Sequence, residues 1–151
     1  DFMKTTSYTP KLIQYSKYYK TFSNVLRIRT VSAEYLVVMK LMAGRLYKND
    51  LSDVVGILLE QEKSQQQICL EDIKKAAEKL YGGYDKLSEE SRTFIETVYQ
   101  NPDLTQLYAK VREDEKTNKD ILIEFEDNYP DVLNGDNLTD ILKAARAKKK
   151  G

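Results

Sequence analysis

The stretch TVSAEYLVVMKLMAGRLYKNDLSDVVGILL, residues 30 to 59, decides the fold of this chain. Apolar residues recur at helical spacing on both sides of a polar centre, which predicts two packed helices. Ser32 offers a capping hydroxyl to the first helix, whose pattern runs to Leu46. Asn49 or Asp50 offers a cap to the second. The short polar segment between them predicts an antiparallel helical hairpin.

Four charged residues surround that turn: Lys40, Arg45, Asp50 and Asp53. Lys40 interrupts an apolar face, so its ammonium is expected to pair, reach solvent or face a pocket. Arg45 follows five residues later, about 140° around a regular helix, and is expected to point elsewhere and pair with an aspartate. The aspartates lie three residues apart and share a face near a helix N-terminus. A cap at Asp50 and an ion pair at Asp53 form the structural interpretation of this cluster.

The amino-acid composition excludes several classes of function. The 151 residues suit one domain, or a small domain with an appendage, and 24 basic residues balance 24 acidic ones. The absence of histidine excludes a Ser-His-Asp triad, a Cys–His nucleophile and a His-containing zinc site within this chain. One cysteine and no apolar run of membrane-spanning length predict a cytoplasmic protein with no membrane partner.

The rest of the sequence predicts a mainly α fold with a small β element. A helix is expected from the Thr9-Pro10 start signal through Tyr19, and one strand over 24–31. Further helices are expected at 68–81, from Ser88, from Pro102 to Val111, at 121–129 and at 137–148, with the charged run 112–120 as a solvated end or a connection. A polar run ends near residue 66, and a new helical pattern follows it. This change predicts two domains, 1–66 and 67–151.

Basic and aromatic residues alternate near the N-terminus. Arg27 and Arg29 lie on the expected strand, and Lys17, Tyr18, Tyr19 and Lys20 precede it. Such a composition can hold single-stranded nucleic acid. It is more often a solvated face with partly buried tyrosines, so nucleic-acid binding stays open at this stage.

The central segment also resembles a known family. Lys40, Ala43 and Arg45 fit a Lys-x-x-Ala-x-Arg pattern, and Lys48, Asp50 and Asp53 fit the Arg/Lys-x-Asp-x-x-Asp pattern that follows it. These patterns are similar to those of bacterial nucleotidyltransferase-like proteins, which include AbiEii-type abortive-infection toxins. The resemblance covers roughly residues 20 to 60.

The resemblance implies that residues 1–66 finish a nucleotidyltransferase-like α+β domain and that a helical appendage follows. It implies nucleotide-binding roles for Lys40, Asp53 and Arg45, and Mg²⁺ as the cofactor of the intact protein. The family's Gly-Ser turn and Asp-x-Asp pair do not precede Lys40 here, and phosphoryl transfer needs carboxylate-bound metal ions. We therefore expect this chain to be a fragment with no catalytic residue, no metal ligand and no activity by itself. The intact protein is expected to act in phage defence or in a toxin–antitoxin pair. The alternative is a non-enzymatic helical domain that binds a protein partner through its helical faces.

Overall fold

Helices form most of the protein, and a two-stranded antiparallel sheet is its small β element. The computed structural model describes residues 9–135 and 137–149. The elements in chain order are α1 (Thr9–Gln14), β1 (Ser16–Phe22), β2 (Leu26–Val31), α2 (Ala33–Ala43), α3 (Asp50–Lys63), α4 (Leu70–Tyr81), a 3-10 turn (Tyr84–Lys86), α5 (Glu89–Gln100), α6 (Leu104–Asn128) and α7 (Leu138–Lys149). The prediction of a mainly α protein with a small β element is confirmed.

The two strands form a hairpin near the N-terminus. β2 confirms the expected strand, but β1 occupies residues that were expected to continue the first helix. The helical spacing of Tyr15 and Tyr19 was misleading because pairing with β2 decides the conformation of β1. Ser23 and Asn24 adopt positive φ angles of 49° and 55° in the connecting turn, and a bulge lies between Tyr18 and Lys20.

The helical hairpin α2–α3 forms the centre of the fold. Its first helix ends at Ala43, three residues earlier than expected. Val37, Val38 and Leu41 are fully buried, whereas Leu36 in the same apolar pattern is exposed. α2 is apolar on nearly all sides, so periodicity alone does not identify its buried face.

Helix α4 packs against α2, and its buried face includes two alanines. Ile73, Ala76, Ala77 and Leu80 are all buried, and they recur at the spacing of one helix face within the helix predicted at 68–81. Gly82 ends the helix in the left-handed conformation, with φ 82°, which glycine adopts without steric cost. The largest cluster of buried side chains draws residues from both sides of residue 66. The division into 1–66 and 67–151 stays a prediction.

Helix α6 is one continuous helix of 25 residues. The charged run 112–120 was expected to be a solvated end or a connection, and both expectations were wrong. It forms the middle of the helix, which packs on α3. α7 covers the end of α6 through a small cluster that contains Ile121, Leu122 and Leu142. Within residues 9–135 and 137–149, no helix is both long enough and apolar enough to cross a membrane.

Candidate functional site

The turn between α2 and α3 begins at a glycine that redirects the chain. Gly44 has φ 50°, and its backbone N–H donates to Lys40 O at 2.8 Å. The helix therefore ends before Arg45. The expectation that Arg45 and Lys40 point in different directions assumed an uninterrupted helix and was wrong, because the turn brings both side chains to one carboxylate.

That carboxylate belongs to Asp50, the first residue of α3, whose side chain is only 2% exposed. Its Oδ2 accepts from Arg45 Nε at 2.7 Å, and its Oδ1 accepts from Arg45 Nη2 and from Lys40 Nζ, each at 3.2 Å. Burial alone would raise the pKa of Asp50, but the two cationic partners outweigh it and hold the pKa below its ordinary value. Asp50 is thus an ionised carboxylate inside the fold, held by charge-assisted hydrogen bonds.

Lys40 connects this buried pair to the surface. Its Nζ lies 2.8 Å from Asp53 Oδ2, and the side chains of Lys40 and Asp53 are 38% and 43% exposed. Partial burial of Lys40 opposes its charge, but the two aspartates raise its pKa above the ordinary lysine value. The pair borders a shallow groove of about 350 Å³, which Gly56 and Tyr108 also line. The cluster therefore has a closed side at Asp50 and an open side at Asp53.

A second buried carboxylate lies at the same helix terminus. Glu115 of α6 accepts from the backbone N–H of Leu51 at 2.8 Å and of Ser52 at 3.3 Å. It takes the capping role that was expected of Asn49 or Asp50, since Asn49 makes no side-chain cap bond. Burial, and to a lesser extent the charge of Asp50, raise the pKa of Glu115 despite these donors. The N-terminus of a helix favours negative charge, so the α3 terminus stabilises both carboxylates.

An asparagine one turn further along α6 holds the same loop from the other side. Asn118 is buried, and its Nδ2 donates to Leu46 O at 2.6 Å. Arg146 of α7 donates from Nε to Asn118 Oδ1 at 3.0 Å. Asn118 of α6 therefore holds the turn directly, and Arg146 of α7 holds Asn118.

The structure thus brings together all four residues that the sequence singled out, and adds three that sequence reasoning missed. The missed residues are Glu115, Asn118 and Arg146. A signal for two of them exists, because Val111, Glu115, Asn118 and Leu122 follow one another at spacings of four, three and four residues. That spacing continues the buried stripe of a helix, so polar residues at the two middle positions mark an internal polar contact.

The cluster does not fit a magnesium ion. Both oxygens of Asp50 accept from cationic side chains, and Asp53 pairs with Lys40, so a divalent cation would have to displace an ammonium or a guanidinium. In the described residues, no group of three or more acidic, cysteine or histidine side chains is arranged to hold a metal ion. The residues present instead form an internal network of ion pairs, in which the Lys40 ammonium is partly exposed.

Comparisons with known proteins add no relative to this picture. No family model, no curated protein and no solved structure matches the chain.

Proposed function

We propose that this chain is the motif-bearing helical part of a bacterial nucleotidyltransferase-like protein, and that Lys40 and Asp53 face the nucleotide in the intact protein. The observation that carries the proposal is the unequal exposure of the motif residues. Asp50 is buried under Arg45, whereas the Lys40–Asp53 pair opens on a groove. A structural network alone does not require an ammonium at the edge of a groove.

The proposal assigns different roles within the cluster. Arg45 and Asp50 hold the turn through a bidentate ion pair, which fixes the end of α2. Lys40 keeps one of its three ammonium protons for a phosphate oxygen while two are directed at Asp50 and Asp53. Gly56 leaves room for Tyr108, since a Cβ at Gly56 would lie 3.2 Å from the Tyr108 ring, so an aromatic edge borders the same groove.

The chain alone is expected not to transfer a nucleotidyl group, because every aspartate of the cluster is engaged by a cation. Mg²⁺ would be bound by carboxylates elsewhere in the intact protein. A cytoplasmic role in phage defence or in a toxin–antitoxin pair belongs to the same proposal.

The test is nucleotide binding by the natural gene product, with whatever coding sequence precedes Asp1, followed by isothermal titration with ATP and Mg²⁺. We expect Lys40→Ala to weaken binding at least about tenfold. Because Asp50 keeps its pair with Arg45, the thermal midpoint of Lys40→Ala should fall less than that of Asp50→Asn. Lys63→Ala, an exposed lysine at the far end of α3, is the matched control. Equal binding by all three proteins would reject the nucleotide role.

The second candidate is a helical protein-interaction domain without enzymatic activity. The observation that favours it is the internal satisfaction of the motif charges, since Lys40, Arg45 and Asp50 each have a partner within the fold. Absence of nucleotide binding in the titration, together with a large stability loss in Lys40→Ala, would favour this candidate.

A further inference from the structure

The β1–β2 hairpin exposes an unusual number of large apolar side chains. Tyr18, Tyr19, Leu26 and Val25 are 58%, 66%, 59% and 90% exposed, and Phe22 is also exposed. The expectation of partly buried tyrosines was wrong at Tyr18 and Tyr19. Within the described part of the chain, the sheet consists of these two strands alone, so each strand has an outer edge without a strand partner. The hairpin therefore exposes three aromatic rings together with two aliphatic side chains.

The same hairpin is strongly basic in a chain with no net charge. Residues 16–31 include Lys17, Lys20, Arg27 and Arg29 and no acidic residue, which leaves 20 basic and 24 acidic residues elsewhere. In residues 9–135 and 137–149, none of these four cations forms an ion pair with a carboxylate. The positive charge of the hairpin is not neutralised by the fold and attracts a polyanion.

Strand register places rings beside cations. Tyr18 is directly opposite Arg29, and Thr21 is opposite Arg27, so these four side chains share one face of the hairpin. Two hydrogen bonds support that arrangement: Tyr18 Oη donates to Thr21 Oγ1, and Arg29 Nε donates to Ser16 Oγ. On the opposite face, Lys20 Nζ lies 4.7 Å from the centre of the Phe22 ring. Each face combines an aromatic ring with a positive charge.

We propose that the β1–β2 hairpin binds single-stranded nucleic acid, with bases stacked on Tyr18 and Tyr19 and phosphates held by the four cations. Exposed rings accept any unpaired base, and neighbouring cations follow the backbone, which is the general design of sequence-tolerant single-strand binding. A peptide of acidic residues alone would satisfy the cations but has no ring systems to stack on the tyrosines. This proposal is independent of the nucleotide role of Lys40.

The experiment measures fluorescence anisotropy of the whole chain with a labelled oligothymidylate of roughly 12 nucleotides, within the size range of such sites. If the four cations each neutralise one phosphate of a single strand, log Kd should rise against log salt with a slope of about 2.8. Tyr18→Ala and Tyr19→Ala should each weaken binding at least about fivefold. Lys20→Gln with Arg27→Gln should lower the slope by about 1.4.

Matched controls are available on the same chain. Tyr129→Ala removes another exposed tyrosine, and Lys63→Gln with Lys119→Gln removes two exposed lysines outside the hairpin; these should leave the affinity within about twofold. Melting followed by circular dichroism should give helical midpoints unchanged by the hairpin variants. Absence of binding at low salt, equal losses in the hairpin and control variants, tighter binding of a duplex of the same length, or equal competition by polyglutamate would each overturn the proposal.

Discussion

Replacement of Asp50 by asparagine should destabilise the protein far more than the same replacement at Asp53. Asparagine keeps the shape of the side chain and one acceptor oxygen, but removes the charge that holds Arg45 and Lys40. The two positions lie on one face of α3 and both pair with Lys40. They differ in burial and in the number of cationic partners, which makes Asp53→Asn the matched control.

The structure allows the size of each effect to be estimated. Loss of one partner from a buried ion pair costs about 3–5 kcal/mol. Arg45 and Lys40 are about one-third exposed and regain water when the charge is lost, so we expect the lower end, about 3 kcal/mol, for Asp50→Asn. An exposed pair such as Lys40–Asp53 is worth about 0.2–1 kcal/mol. The two variants should therefore differ by about 2 kcal/mol or more.

Urea unfolding at pH 7, followed by far-ultraviolet circular dichroism, measures this difference. With a denaturant slope of about 2 kcal/mol per molar urea, Asp50→Asn should lower the midpoint by about 1.5 M with the slope unchanged. Its thermal midpoint should fall by roughly 6–12 °C, from the 2–4 °C per kcal/mol expected for a protein of this size. A double variant with Arg45→Gln should lose less stability than the sum of the two single changes, because both remove the same pair.

The opposite pattern would refute the reasoning. If Asp50→Asn falls within about 1 kcal/mol of Asp53→Asn, the buried carboxylate contributes no more than a surface one. Additive losses in the double variant would show that Arg45 and Asp50 act separately.

Two further perturbations probe the same turn. Burial raises the pKa of Glu115. Its contribution to stability is therefore complete below pH 4.5, the ordinary glutamate pKa, and is lost as the pH rises through the folded-state pKa. Urea midpoints across pH 4–7 should show this fall in the unchanged protein and not in Glu115→Gln, and parallel profiles of the two proteins would contradict the prediction. In the same unfolding measurement, Gly44→Ala should lower the free energy of unfolding more than Gly82→Ala does. Both glycines have positive φ, but a Cβ at Gly44 would lie 3.0 Å from Ser91 Oγ and 3.1 Å from Leu41 O, whereas nothing lies within 4 Å of a Cβ at Gly82. Equal losses of stability would show that the contacts at Gly44 relax freely.

Local signals in the sequence predicted most helices well. Ser88 caps α5 as its position suggested, and Asp103 caps α6 one residue after the predicted start at Pro102. Each accepts a hydrogen bond from a backbone N–H three residues later. The buried face of α4 also followed from spacing alone, because its polar and apolar residues are cleanly separated. These features depend on neighbours within one or two turns, which is the range that a sequence pattern reports.

The errors have two physical causes. β1 looked helical because Tyr15 and Tyr19 recur at helical spacing, although its partner strand follows after a three-residue turn. The interior of α6 looked like a solvated end or a connection because its buried residues are polar. Lys40, Arg45, Asp50 and Asp53 were recognisable as a group from their spacing. Glu115 was not, because its partners are Leu51 and Ser52, more than 60 residues earlier in the chain.

The cap that α6 supplies to α3 also has a consequence for biosynthesis. The backbone N–H groups of Leu51 and Ser52 emerge from the ribosome 64 and 63 residues ahead of Glu115. At about 5–20 residues per second, this interval lasts roughly 3–13 s. During that time the nascent α2–α3 hairpin has the Arg45–Asp50 pair within reach but no cap on its second helix. The turn can therefore be completed only after α6 has been translated. The time at which the α2–α3 hairpin becomes native thus depends on the last third of the chain.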